Sequence, residues 1–333
     1  VDARAPPDVP RRAALHGHNC AFGENDKGEK MAGRTGFVGL GNMGRGMALN
    51  LQRKGFALRV HDVRREPVDA LVAAGAQDGE SVAGVTRDAD VIITILPGSP
   101  EVEATVLGPG GIRESGRRGQ LVMDMSTVDP QTTDKLARHL SEAGMRFVDA
   151  PVGRLASHAW AGESLFMVGA APEDFAQVKP LLEAMGTTIH HCGAPGTGIR
   201  TKLVNNFLAI GLCQMNAEAL TLAQRFGLDL ATTLEVLHGT TATNGQLKLN
   251  YANKVLKGDT EPGFKIALAH KDMSLIVNAA NAAQVPMPLA AAARESLSMA
   301  RASGYDEKDF SALLDHWCER AGVDKVRFKG THR

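Results

Sequence analysis

From residue 35 to about residue 193, short apolar runs alternate with amphipathic segments. The apolar runs at 35–40, 57–62, 91–96 and 121–125 predict strands, the last two rich in Val, Ile, Leu and Met. Weaker strand signals follow at 146–148 and 163–168. Helical periodicity marks 43–54, 66–74, 129–143 and 172–185, and glycines at 55, 75 and 144 stop the first three. Strand and helix in turn predict an α/β doubly wound parallel sheet. After about residue 195 the strands cease. Residues 197–226 read as one helix closed by Gly227, about 45 Å long at about 1.5 Å per residue. Helices are also expected at 229–237, 264–283, 288–303 and 308–320. The pattern therefore divides the chain into a sheet domain over 31–194 and an all-α domain over 195–325, joined by a long helix. Residues 1–30 mix Pro, Arg, His, Gly and Asp without a period and are expected to be a disordered leader, with Met31 as the native start.

Composition narrows the function. The chain has 333 residues and equal numbers of basic and acidic side chains, 37 of each. That balance argues against a dedicated nucleic-acid binder. No apolar run is long enough to span a bilayer, so a cytoplasmic protein is expected. The four cysteines, Cys20, Cys192, Cys213 and Cys318, form no CxxC pair and read as reduced thiols. His16, His18 and Cys20 have metal-like spacing but fall in the leader. His190, His191 and Cys192 are adjacent but lack a third ligand on one face, so no metal site is expected.

The sharpest motif is Gly39-Leu40-Gly41-Asn42-Met43-Gly44, which follows a predicted strand and opens a helix. In that context GxGxxG is the dinucleotide signature of a Rossmann-type sheet. Gly39 permits the tight turn, Gly41 lets a pyrophosphate approach the backbone, and Gly44 lets helix and strand pack closely. Phosphates then meet the free N–H groups of the helix N-terminus. Asp62 lies 18 residues past Gly44, at the end of the second strand, where a carboxylate binds the adenosine ribose. This favours NAD over NADP, although Arg64 and Arg65 stand ready for a 2′-phosphate.

Two lysines supply the second clue. In the long helix, Gly198, Lys202, Asn205, Asn206, Ala209 and Cys213 share one face, while apolar residues surround the rest, which predicts a buried helix with a polar cavity. In the helix over 264–283, Lys271 falls in line with Phe264, Leu268 and Leu275. A cation there needs an anion or a ligand. Asp272, one position on, is expected to point elsewhere.

These strings together resemble the β-hydroxyacid dehydrogenase family, which includes 3-hydroxyisobutyrate and tartronate semialdehyde reductases. The resemblance rests on GLGNMG followed by GMA, on Asp124-Met125-Ser126-Thr127, on DAPV at Asp149–Val152, on the GxGxxxKxxNN string from Gly196 to Asn206, and on Lys271-Asp272. It spans Gly36 to about Gly322. Shorter strings, Gly153-Arg154 after DAPV, GIR before the lysine, HKD, and VPMPL at Val285–Leu289, are similar to the bacterial branch that reduces sulfolactaldehyde. His158 departs from it, where an amide is expected.

The resemblance implies a 6-phosphogluconate-dehydrogenase-like fold and a homodimer or homotetramer. It assigns Asn42, Met43, Asp62, Leu96, Pro97, Thr127 and Lys271 to the cofactor. Ser126, Gly153, Arg154, Asn205 and Asn206 fall to the substrate, and Lys202, with Asn206 beside it, to catalysis. Lys202 as an ammonium is expected to protonate the forming alkoxide, and Arg154 to clamp a sulfonate or carboxylate. The rival substrates are those of 3-hydroxyisobutyrate, tartronate semialdehyde and 4-hydroxybutyrate dehydrogenases. A rival of another class is a non-catalytic dinucleotide sensor, which has no need of Lys202 and Asn206.

Overall fold

The computed structural model describes residues 33–329. The expected leader, with Met31, His16, His18 and Cys20, lies outside the described residues.

The first half builds a nine-stranded sheet in the order β3-β2-β1-β4-β5-β6-β8-β7, with β9 beside β8. The strands are β1 (Thr35–Val38), β2 (Leu58–His61), β3 (Gln77–Asp78), β4 (Val91–Thr94), β5 (Leu121–Asp124), β6 (Arg146–Asp149), β7 (Val152–Gly153), β8 (Ser164–Gly169) and β9 (Gly186–Gly193). The helices α1 (Asn42–Arg53), α2 (Arg65–Ala73), α3 (Val82–Arg87), α4 (Ser99–Leu107), α5 (Ile112–Ser115), α6 (Pro130–Glu142), α7 (Ala156–Ala161) and α8 (Pro172–Met185) cover its faces. Every residue of β1, β4 and β5 is buried. That is the reason these strands read as continuous apolar runs: both faces are covered. Strand order reverses between β1 and β4, where a doubly wound sheet opens a crevice beyond its strand ends.

The sheet is not parallel throughout. β8 runs antiparallel to β6 and β7, and β9 parallel to β8. β6 and β7 run in one direction along β8, and the connection through α7 folds the chain back instead of crossing over, so the expected strict alternation ends at β6. The short elements β3, α3, α4, α5 and α7 add to those predicted.

The second half is helical: α9 (Thr197–Arg225), α10 (Leu230–Gly239), α11 (Ile266–Ala282), α12 (Pro288–Ala300) and α13 (Leu313–Ala321), with π-type turns at Gln246–Tyr251 and Arg301–Tyr305. Tyr251, Met273, Leu297 and Leu313 are central to its core. The 29 residues of α9 are docked to the sheet at their first turn. Gly196 and Ile199 donate their backbone N–H groups to the two carboxylate oxygens of Asp149, at 2.6 and 2.7 Å. A Cβ on Gly198 would stand 2.3 Å from the Met167 carbonyl oxygen. The small residue there serves close packing, not a cavity. Nor is α9 buried all round: Val204, Leu208, Met215, Leu222 and Phe226 are exposed. Its apolar residues form two faces, and only one packs on the helical core.

Candidate active site

At the glycine turn, Gly39 has φ +98°, and a Cβ would lie 2.2 Å from the Ile95 carbonyl oxygen. A Cβ on Gly44 would lie 2.1 Å from the Gly39 oxygen, so α1 rests directly on β1. A Cβ on Gly41 would meet nothing within 4 Å. The turn is therefore closed on its protein side and open on the other, and α1 begins without a side-chain cap. Exposed N–H groups facing open space suit a pyrophosphate. Asn42 is exposed and Met43 half-buried beside it.

Asp62 follows β2. Its carboxylate accepts from the Leu40 N–H at 2.7 Å and from the Arg64 backbone and side chain. Burial pushes its pKa up, but the Arg64 hydrogen bonds, with that from Leu40, outweigh it and hold the group below the usual carboxylate range. A carboxylate at this height beside the turn fits a ribose hydroxyl. Arg64, tied to Asp62, keeps a cation next to the same place.

The ends of β4 and β5 are locked together. Thr94 and Ser126 donate their hydroxyls to Asp124 at 2.7 and 2.6 Å, and Leu96 donates its N–H to the Ser126 oxygen at 2.9 Å. Asp124 is buried, which raises its pKa. Ser126 thus spends its hydroxyl on the scaffold rather than on a ligand. Lys271 of α11 reaches across from the helical domain. Its ammonium donates to the Thr127 carbonyl at 2.8 Å and the Pro97 carbonyl at 3.1 Å. Leu96, Pro97, Thr127 and Lys271 therefore meet at one point beyond the strand ends.

Lys271 also pairs with Asp272 at 3.1 Å, contrary to expectation. The buried stripe of α11 runs through Ile266, Ala269, Asp272, Met273 and Ile276, so the aspartate, not the lysine, lies inside it. One helical step separates the two by about 100°, yet the long lysine stem bends back far enough to reach the carboxylate. The other oxygen of Asp272 accepts from Asn206 Nδ2 at 2.7 Å, and Asn206 Oδ1 accepts from Asn205 Nδ2 at 3.0 Å. Asn206 is buried and Asn205 exposed.

Lys202, one turn before Asn206, is also buried and donates to the Val152 carbonyl at 2.6 Å. Burial lowers its pKa; Asp272 opposes that shift and Lys271 adds to it. Gly153 follows Val152 and is buried against Leu165. Arg154 does not join this group. It is exposed, with φ +71°, and its guanidinium donates to the Glu163 carbonyl and to the hydroxyls of Thr187 and Thr188. Its fork is engaged at the β8–β9 edge.

Sequence reasoning missed three contributors. Asp149 pins α9, Asp272 joins Lys271 to Asn206, and Trp160 of α7 donates its indole N–H to the Asn42 carbonyl at 2.9 Å. The last contact seats the segment after Gly153-Arg154 on the glycine turn. His191 stacks on Phe175, 4.4 Å between ring centres, and bonds the Ala170 carbonyl oxygen, so it serves packing.

Known proteins share this design. The model of the NAD-binding domain of 6-phosphogluconate dehydrogenase matches residues 34–193. The model of the NAD-binding region of NADP-dependent 3-hydroxyisobutyrate dehydrogenase matches residues 196–317. A 3-sulfolactaldehyde reductase of Escherichia coli is 42% identical over 287 residues, 86% of this chain and 96% of that protein. A 2-(hydroxymethyl)glutarate dehydrogenase of Eubacterium barkeri is 36% identical, covering 87% and 96%. The structure of Mycobacterium tuberculosis 3-hydroxyisobutyrate dehydrogenase with L-serine superposes with a TM-score of 0.79 at 30% identity, over 86% of this chain and 99% of that one. With both halves matched and relatives aligned along nearly their whole length, the chain belongs to the β-hydroxyacid dehydrogenase family of NAD(P)-dependent oxidoreductases.

Proposed function

We propose that this enzyme interconverts a short acidic aldehyde and its hydroxy acid with NAD, that the aldehyde is sulfolactaldehyde or a close sulfonated analogue, and that Lys202 is the general acid and base. The observation that carries the catalytic assignment is the buried Lys202 ammonium beside the Asn205–Asn206–Asp272 chain. The identity to a sulfolactaldehyde reductase supports the substrate.

Gly39, Gly41, Asn42, Met43, Gly44 and Asp62 would hold the adenosine and pyrophosphate end of the dinucleotide, and Leu96, Pro97, Thr127 and Lys271 the nicotinamide end. When bound, the cofactor supplies or takes up the hydride. Lys202 donates its proton to the aldehyde oxygen as that oxygen gains charge, and the neutral amine accepts it in the reverse direction. A lysine kept in water, with its usual high pKa, is a poor base near neutrality. Burial lowers the pKa of Lys202, the direction this role needs. Asn205, Asn206 and the peptide at Ser126 and Gly153 frame the substrate. Asp62 favours NAD, since a 2′-phosphate beside a carboxylate is repelled.

Arg154 is assigned to the acid end. To reach it, the guanidinium exchanges its bonds to the Glu163 carbonyl and the Thr187 and Thr188 hydroxyls for bonds in which both partners are charged. A sulfonate, with three oxygens, suits the planar fork. The exposed face of α9 is assigned to a second copy of the chain, and the protein to the cytoplasm. Among the described residues no helix is long and apolar enough to cross a membrane.

The test is a side-by-side kinetic comparison of sulfolactaldehyde, succinic semialdehyde and tartronate semialdehyde, each with NADH and with NADPH. The highest kcat/KM is expected for sulfolactaldehyde with NADH. A preference for either carboxylate substrate overturns the sulfonate assignment, and inactivity with all three overturns the enzymatic reading. Arg154→Ala should raise KM for acidic aldehydes and leave neutral ones unaffected; equal effects on both remove the clamp.

A further inference from the structure

Asp272 takes no chemical step in the scheme above, yet it touches both halves of the site. Its carboxylate is buried in the stripe of α11. One oxygen faces the Lys271 ammonium at 3.1 Å, and the other accepts from Asn206 Nδ2 at 2.7 Å. Lys271 in turn holds the carbonyls of Pro97 and Thr127. A continuous path thus runs from the ends of β4 and β5, through Lys271 and Asp272, to Asn206 one turn from Lys202. A buried carboxylate is costly unless its oxygens are satisfied, and here each oxygen has a donor.

The consequence lies in the amide. Asparagine has a donor end and an acceptor end, and only its nitrogen can donate to a carboxylate. Asp272 therefore fixes which way round Asn206 sits. Its Oδ1 is turned toward Asn205, whose Nδ2 occupies one of two acceptor positions. The second can receive a hydroxyl proton of an alcohol or an N–H of Lys202. Were the amide reversed, Asn206 would offer a donor there and compete with Lys202 for the substrate oxygen.

We propose that Asp272 is a positioning residue of this active site, which orients Asn206 beside Lys202 and ties that setting to Lys271 at the cofactor-bearing strand ends. The inference rests on the reading of Lys202 as acid and base. Its electrostatics point the same way. The charged groups that act on Lys202 are Asp272 and Lys271, both on α11; the carboxylate favours the ammonium, and the neighbouring lysine opposes it. Asp124 and Asp149, two further buried carboxylates, end β5 and β6.

The test uses Asp272→Asn, which keeps the shape and removes the charge. Two readouts are compared with wild type. The first is the pH dependence of Lys202 acetylation by acetic anhydride, followed by mass spectrometry on the apoprotein, which needs no turnover. The midpoint should fall by about one pH unit, since losing an opposite charge disfavours the ammonium. The second is kcat for aldehyde reduction, expected to fall at least tenfold, with its alkaline limb moved to lower pH. Asn206→Ala and the double variant complete a cycle. If Asp272 acts through Asn206, the double variant is no slower than Asn206→Ala alone. An unmoved acetylation midpoint with kcat within threefold of wild type overturns the proposal, and so do losses that multiply in the double variant. Wild type that reduces no short acidic aldehyde, while the midpoint still shifts, sinks the catalytic reading but leaves the Asp272–Lys202 coupling in place. Urea unfolding of each variant separates these effects from misfolding.

Discussion

At the scale of single residues, the site works by burying charges whose partners are fixed. Lys202→Ala removes the proposed proton donor and leaves the glycine turn intact, so turnover should fall at least a hundredfold, in the range of general acid–base catalysis, with NADH affinity changed less than threefold. Stopped-flow kinetics and fluorescence titration measure the two; a variant that keeps near wild-type kcat removes Lys202 from the mechanism. Asp149 gives a prediction about stability. Burial raises its pKa from 3.8 to about 6, against the pull of the Gly196 and Ile199 N–H groups. A folded-state pKa above the unfolded value means that this contribution to stability is full below about pH 3.8 and is lost as pH rises through about 6. The loss is roughly 3 kcal/mol, at about 1.4 kcal/mol per pH unit. Asp149→Asn cannot titrate, so the wild type's advantage over it should shrink by up to that amount between pH 4 and pH 7.5. Urea unfolding at both pH values checks this, and an advantage that grows with pH would show that the carboxylate is the stabilising form. Asp272 shows why part of the site was illegible. Helical spacing locates a Cα direction but not the bend of a four-carbon stem, so Lys271 and Asp272 read as diverging although they touch. The β8–β9 edge that holds Arg154 in this structure, 33 and 34 residues on, has no signature in the local string.

Among the elements, legibility followed burial and length. β1, β4 and β5, buried on both faces, and the helices α1, α6, α8 and α9 were evident from periodicity, with ends shifted by one or two residues. Helices of four to six residues, α3, α5 and α7, are too short to display a 3.6-residue period. The reversal of β8 depends on the connection through α7, not on the composition of the strand. One of these short elements, α7, bears on the site. α7 packs on α1 where Gly46 leaves room: a Cβ there would stand 3.0 Å from the Trp160 Cα, Cγ and N. Glycine is required at this position by the neighbouring helix, not by its own backbone. Gly46→Ala should therefore cost about 1–3 kcal/mol by overpacking. Because Trp160 also holds the Asn42 carbonyl, the displaced α7 should raise KM for cofactor and aldehyde together. Unchanged urea stability and unchanged KM values would show that α7 yields freely.

On the scale of the whole molecule, the long helix presents two different faces. One face carries Lys202 and Asn206 and packs toward the sheet and α11. The other bears Val204, Leu208, Met215, Leu222 and Phe226, each half or more exposed, along roughly 33 Å at about 1.5 Å per residue. A monomer gains nothing by showing water so long an apolar stripe, and continuous patches of this kind mark interaction surfaces. Fully burying such side chains stabilises by about 1.5–3 kcal/mol each. These are already partly covered, so about half that, summed over five residues in each of two copies, gives roughly 8–15 kcal/mol. The cost of association is of the same size, about 4–15 kcal/mol. A stripe contact is therefore decisive but marginal, and one buried charge should break it. Met215→Asp with Leu222→Asp, both at least two turns beyond Asn206, should turn an assembly of wild-type chains into a lighter species in sedimentation velocity at micromolar concentration. Wild type sedimenting as a single chain overturns the assembly, and an unchanged sedimentation coefficient in the variant places the interface on another face. Since Lys202, the proposed acid and base, sits on the helix that the partner would cover, loss of assembly should also loosen its first turns. Faster hydrogen exchange from Thr201 to Leu208 in the variant, with the sheet unaffected, is the expected signature.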